Sequence, residues 1–530
     1  MASADLSATG IRRQQQGTRA VLLVMCASVM VAQSLVAAIN LAIPKLSASG
    51  LNASPTELLW IVDAYVIVFA GLLIPAGALG DRFGRKGVLL TGLGLFGTGS
   101  AVCALAPSVA PLLTGRALCG AGAALLMPAS MSLLLHSTPG ERRATAVATW
   151  SASLAVGGVL GNTAGALILQ YLPWQALFWA YVPFAVALLC WAGRIAPRPE
   201  RSATRLDLPG SLLLILGCTA LLFGVIEGPS HGWGSLPVLT GFSAAVLVLV
   251  VFVVHESRTA HPVLDPWLLR LRPVRSGTIG VAALFFGMFA LFYVNAQFLQ
   301  YVEGFSPLQA GLGVLPVAVG IMVVTRLSPL CSDRLGALPT VTIGLLLVIA
   351  GLMLMSTATA ATPYALYALY LLLMALGNGV ATPVLSHAVV SGLPPQRLGV
   401  GSGLNSAARE FGSALGIAVV GTALASGFSD RLPSAVAVHG DAPAHAFAAA
   451  ARLGSDSQAA VVAAFTHAVA TGYRVAAAAL LAMTLVVVMG MRRRPADRSP
   501  KPKSRRSQGS SHPADQEPSA APSSPPASAL

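Results

Sequence analysis

The stretch GALGDRFGRK, residues 77–86, crowds Asp81, Arg82, Arg85 and Lys86 around Gly77, Gly80 and Gly84, between two long apolar runs. A chain that leaves a bilayer and re-enters it within a few residues needs such a segment, with glycines to turn the backbone and charges to hold it in water. Residues 331–336, CSDRLG, repeat the spacing: Asp333, Arg334 and Gly336 are related to one another as Asp81, Arg82 and Gly84 are. The chain therefore reads as a duplication. Each copy carries a short cytoplasmic hinge between two membrane helices, charged so that it can act as a conformational switch loop.

The composition agrees. Of 530 residues, 55% are hydrophobic and 10% charged, and the mean hydropathy is +0.74. These values exclude a soluble protein with a large core and define an all-α polytopic membrane protein. A net charge of +14 invites a nucleic-acid reading, so its placement matters more than its size. All but six of the 33 Lys and Arg residues fall in the N-terminus, the C-terminal tail and every second loop. Lys45, Arg431 and Arg452 lie in the alternate loops, and Arg116, Arg409 and Arg474 in apolar runs. This is the positive-inside pattern, which puts both termini in the cytoplasm and makes lipid, not nucleic acid, the partner. Arg outnumbers Lys 29 to 4 in an Ala-rich chain, which suits a GC-rich bacterial genome and hence a bacterial cell membrane. Cys26, Cys103, Cys119, Cys190, Cys218 and Cys331 show no C-x-x-C spacing, so neither a disulfide framework nor a metal site is expected.

Residues 1–19 form a polar lead-in, and the apolar run that follows is too long for a signal-peptide core. Runs of about 20 apolar residues place helices at 20–43, 56–79, 88–107, 110–135, 144–170 and 174–193. Two more, at 208–227 and 236–256, are flanked by basic linkers and look inserted, so residues 194–275 read as an insertion between two bundles. The second bundle, 276–491, holds helices at 276–302, 308–330, 338–358, 363–390, 399–425 and 466–491. That makes fourteen, arranged 6+2+6. An external loop over 427–465, with Asp430, His439, Asp441 and His445, is expected to form a surface helix; metal binding there is the weaker reading. Residues 492–530 have the composition of a disordered tail held near anionic lipid by Arg492, Arg493 and Arg494.

Subtraction tests the duplication. Ser54, Pro55, Asp81, Arg82 and Gly84 recur 252 residues later as Ser306, Pro307, Asp333, Arg334 and Gly336. Pro128, Pro139, Arg142, Gly157 and Gly161 recur 255 residues later as Pro383, Pro394, Arg397, Gly412 and Gly416. Near-equal offsets across a whole half match two parallel six-helix repeats, an architecture of alternating access.

Among the ionisable residues inside apolar runs, Arg116, Asp63 and Glu410 carry the functional argument. A fixed charge there costs about 2.5–3.5 kcal/mol on insertion scales, so Arg116 must face a cavity or an acid, or else snorkel to the interface. Its repeat position holds Leu371, which favours function over symmetric packing. Asp63 is the carboxylate well inside a first-half run, and burial disfavours its charged form, as a reversible proton carrier requires; the alternative is a hydrated, inert side chain. Glu410 adjoins Arg409, and since neighbours in sequence point to different faces of a helix, the two do not form a simple pair. Gly157, Gly161 and Gly165, matched by Gly412 and Gly416, strip one helix face. They read either as static packing or as faces that meet where the halves rock and seal one side.

No Gly-Lys pair occurs, so there is no ATP-binding loop; no HExxH and no nucleophile elbow is present either. An enzyme is not indicated and no cofactor is expected. The motifs do resemble a known family, the major facilitator superfamily, and within it the fourteen-helix drug:proton antiporters. GALGDRFGRK is similar to that family's loop motif between helices 2 and 3. RALCGAGAA, residues 116–124, resembles its helix 4 motif, whose Arg serves proton coupling and falls here on Arg116. GGVLGNTAG, residues 157–165, looks like the antiporter motif of helix 5, and WIVDAY, FSPLQAGLGVLP and NSAAREFGSALG extend the likeness over almost all of residues 20–491. There are departures. The family's helix 1 Asp, five residues before the Asn of the turn NLAIP, is Leu35 here; Asn162 replaces the usual Pro of the helix 5 motif, and Ala164 with Gly165 stands for its paired Gly. Loss of the helix 1 acid weighs against a lipophilic-cation substrate and leaves Asp63 to carry the proton.

The resemblance implies secondary efflux of an antibiotic, drug or related small metabolite in exchange for protons, by a monomer without ATP. Asp63, Arg116 and Glu410 are the expected coupling residues. Asn40, Tyr65, Asn162 and Asn405 are the expected polar lining of the substrate cavity. A facilitator or symporter for a nutrient is the alternative within the same fold. A transporter-like sensor is the alternative from another class.

Overall fold

The computed structural model describes residues 2–138, 143–197, 207–259, 262, 266–393, 398–437 and 442–492. Apolar runs are helical wherever described, and the breaks between them carry the residues that stop or start helices. After α1 (Ala2–Ser47), Ser54 opens α2 (Pro55–Phe83) with a reciprocal cap: its Oγ accepts from the Glu57 amide, and Glu57 Oε2 accepts from the Ser54 amide at 2.8 Å. Gly84, at φ 98°, turns the chain directly into α3 (Arg85–Leu105). Then come α4 (Val109–Ser137), α5 (Arg143–Tyr171) and α6 (Trp174–Ile195). The pair α7 (Leu208–His231) and α8 (Leu236–Arg258) precedes a 3-10 turn and α9 (Arg272–Tyr301). The tenth span is built from α10 (Pro307–Leu312) and α11 (Leu315–Thr325), with α12 (Ser328–Leu335) after it. The chain ends with α13 (Ala337–Met355), α14 (Tyr364–Ser391), α15 (Leu398–Ser429), short α16 (Ser434–Ala437) and α17 (Pro443–Leu453), and α18 (Ser455–Met491). Fourteen stretches are long and apolar enough to cross a membrane, and no strand occurs among the described residues.

The duplication is visible as geometry. The Ser54–Glu57 cap recurs 252 residues on as Ser306–Gln309, and Gly84 recurs as Gly336 at φ 89°. The same helices pair in each half: α1 with α5 and α9 with α15, α3 with α4 and α13 with α14. The contact points match as well. Gly157 and Gly161 lie against the backbone of Met30 and Ser34, while Gly412 and Gly416 lie against Ala282 and Phe286, 252 residues further on. Of the other repeat positions, Pro139, Arg142, Pro394 and Arg397 lie outside the described residues.

Several expectations need correction. The hinge at 77–86 is a single residue, because α2 runs through Gly77 and Gly80 to Phe83 and Gly84 alone makes the turn. The tenth span is not one helix over 308–330. It breaks before Pro316 and again before Pro329, where each proline sits in the first turn of a new helix; Tyr364 Oη donates to the freed Gly313 carbonyl at 3.1 Å. The two glycine faces do not meet each other, since each packs on a helix of its own half. The last helix begins at Ser455, eleven residues before the expected start, because helical residues continue beyond the apolar run. The external loop does hold a helix, α17, and one face of it is buried: Ala444, Ala446, Ala449 and Ala450 are covered, and the Phe447 ring stacks on Tyr301 with centroids 5.0 Å apart. His439, Asp441 and nearly all of the tail fall outside the described residues, and among those described no His, Cys, Asp and Glu cluster could hold a metal.

The helix connections fall at two ends, a basic end with the α2–α3 turn and a far end with the α1–α2 turn. The two halves touch toward the far end. Gln300 Nε2 donates to the Leu41 carbonyl at 3.4 Å, Gly311 abuts Asn162 and Ala166, and Gly421 abuts Leu59.

Candidate functional site

Arg116, on α4, is the largest fully buried side chain among the described residues. It reaches α2 because the two backbones are close: a Cβ at Gly120, one turn along α4, would run into the backbone of Tyr65. Arg116 Nε donates to the Ile61 carbonyl at 2.8 Å and Nη2 to the Val62 carbonyl at 3.3 Å. A helix carbonyl keeps a second lone pair after its own i+4 bond, so both acceptors are available. The guanidinium also lies 4.7 Å from the Tyr65 ring centroid. Arg116 therefore does not snorkel.

Asp63 follows directly on α2 and is fully buried. Neither of its oxygens accepts a hydrogen bond, and Arg116 Nη1 has no hydrogen-bond partner. An acid and a base thus face the same interior with one donor and two acceptors uncommitted. From the other half, Glu410 on α15 is buried and within electrostatic reach of Tyr65, and Tyr293 on α9 is within reach of Asp63. The Arg409 guanidinium lies 4.6 Å from the Phe285 ring centroid. Asp63, Arg116 and Glu410 are therefore brought to one region, from α2, α4 and α15.

The expected cavity lining is less coherent. Asn40 is buried with Oδ1 unpartnered, and Asn405 Oδ1 is likewise unpartnered. Asn162 instead donates to the Gly158 carbonyl of its own helix at 3.2 Å, and Tyr65 Oη approaches the Ala32 carbonyl at 3.4 Å. Leu35, at the position of the missing acid, is fully buried. In the switch loops Arg82 covers the Phe83 ring at 5.4 Å; the side chain of Asp81 lies outside the described part.

Sequence reasoning missed two groups. Tyr367 Oη donates to Asn295 Oδ1 at 2.8 Å, and Asn378 bonds the Leu284 carbonyl and Thr382, a neutral network in the second half. Its signal was Asn inside apolar runs. Glu227, in the inserted α7, accepts from Trp60 Nε1 at 3.2 Å. An acid in an apolar run was visible there too, but the inserted pair looked peripheral.

Two bundles of like helix pairing around buried acids and a buried base are the architecture of a secondary transporter. The chain belongs to the Major Facilitator Superfamily, whose model matches residues 22–417, and it is a multi-pass membrane transporter, not an enzyme. It is similar to the "Methylenomycin A resistance protein" of Streptomyces coelicolor, 37% identical over 71% of this chain and 79% of that one. It is also similar to the "Tetracenomycin C resistance and export protein" of Streptomyces glaucescens, 32% identical over 81% and 80%. Among solved structures, a bacterial homologue of the lysosomal transporter Spinster, inward-facing and unoccupied, covers 90% of this chain and 97% of its own with TM-score 0.63 at 14% identity, which shows the fold alone.

Proposed function

We propose that the protein exports an antibiotic or related small metabolite across a bacterial cytoplasmic membrane in exchange for protons. The observation that carries this reading is the uncommitted Asp63 beside Arg116, with Glu410 arriving from the other half. A carboxyl with no hydrogen bond can gain and lose a proton without dismantling a network, and a fixed guanidinium nearby favours its release. A site shared between halves changes its exposure when they rock, which ties the proton to the conformational cycle. Relatives named for resistance to, or export of, actinomycete antibiotics supply the substrate class. The basic end then faces the cytoplasm, by the positive-inside pattern, and the described state is sealed toward the outside.

Inverted vesicles holding the protein test this with an imposed pH gradient. Drug accumulation driven by an acid interior is the expected result. Accumulation that ignores the gradient would identify a facilitator.

A further inference from the structure

Three helices meet in pairs at the far end. Leu59 of α2 lies against Gly421 of α15. The next residue on each helix turns to α7: Trp60 Nε1 donates to Glu227 Oε1 at 3.2 Å, and Thr422 Oγ1 donates to the Val225 carbonyl at 3.1 Å. The Phe223 ring adds a contact to Trp60, with centroids 6.5 Å apart. One turn outward, His231 Nδ1 is 3.3 Å from Glu227 Oε2, and its side chain is half exposed. The inserted helix thus holds one half through its own side chain and the other through its backbone, across the line where the halves touch. The far end cannot open without breaking one of these bonds.

We propose that α7 is a latch on the far-end seal and that Glu227 is a positioning residue for transport, whose carboxylate holds α2 to the latch. The reasoning is chemical. An indole N–H only donates, so this bond depends on the acceptor strength of Glu227, and a hydrogen bond to a carboxylate is about twice as strong as one to a neutral group. His231 Nδ1 lies at the other carboxylate oxygen, Oε2, which leaves Oε1 to the indole. The other acids of the packed elements lie elsewhere. Glu57 is committed to the α2 cap, Asp63 lies one turn further in on α2, the first turns of α8 carry no titratable group, and Glu410 is three turns inward on α15. The inference rests on the export reading, because the outer seal must part for substrate to leave.

The test measures distances between spin labels at the exposed positions Ala48 and Arg431, with Cys190 and Cys331 replaced by Ser, in lipid nanodiscs at neutral pH. No drug or gradient is present, so the outcome does not depend on whether export is proton-driven. Glu227→Gln should raise the open population about five-fold. Trp60→Phe should do the same, and the double variant should add nothing further. Should Glu227→Gln fail to fold, Trp60→Phe carries the test alone. An open population equal to that of the parent, or effects of the two variants that simply add, would overturn the proposal.

Discussion

Arg116 is held by two backbone carbonyls, at 2.8 and 3.3 Å, and not by a carboxylate. That geometry distinguishes guanidinium from ammonium. Lysine keeps the charge but cannot reach both carbonyls from one planar fork. Arg116→Lys should therefore slow export by about ten-fold or more, since one charge-assisted hydrogen bond is worth about 1.5–3 kcal/mol; initial rates in vesicles at fixed gradient measure it. Asp63 makes the complementary case. Because neither oxygen is bonded, Asp63→Asn loses no structural contact, so the protein should fold and insert normally. It should nonetheless lose pH-driven export while retaining drug counterflow. Unchanged pH coupling would remove Asp63 from the mechanism and leave Glu410 as the acid to test. Both residues were legible in the sequence because an isolated charge in an apolar run is costly wherever it points. Its partners were not: that Ile61 and Val62 supply the acceptors depends on the close approach at Gly120, which spacing alone does not specify.

At the scale of helices, the four-residue glycine spacing reports packing within each half. A side chain at Gly161 would enter the backbone of Ser34, so α1 and α5 are joined almost backbone to backbone. Gly161→Leu should then lower stability by about 1–3 kcal/mol, the usual cost of overpacking, read as a lower melting temperature of the purified protein. A variant that melts as the parent does yet fails to transport would instead place Gly161 in the moving interface. The fourteen spans themselves were legible, since a run of about 20 apolar residues has one stable fate in a bilayer. What sequence length could not resolve were the ends and the breaks. Apolarity marks where lipid is, whereas α18 starts at Ser455 because helix-forming residues continue into water. The breaks at Pro316 and Pro329 needed backbone reasoning, since both lie inside a run that hydropathy alone joins.

For the molecule as a whole, the duplication implies two halves that move as bodies, and the contacts between them gather toward the far end. Gly311 of α10 lies directly against Ala166 of α5, and these helices belong to different halves. If transport requires the far end to part, a covalent bond at this point must stop it. A disulfide needs Cβ atoms about 3.5–4.5 Å apart, so Ala166→Cys with Gly311→Cys, in protein with Cys190 and Cys331 replaced by Ser, can be closed by a mild oxidant after a small shift of α10. The reduced double variant should export drug, and the oxidised one should fall to background and recover on reduction. Binding of drug from the basic end should survive oxidation, because only the far end is locked. Export that continues through the cross-linked protein would mean that the substrate leaves without separation of α5 from α10, and the opening would then have to be sought between α2 and α15, where Leu59 meets Gly421 and α7 spans the gap.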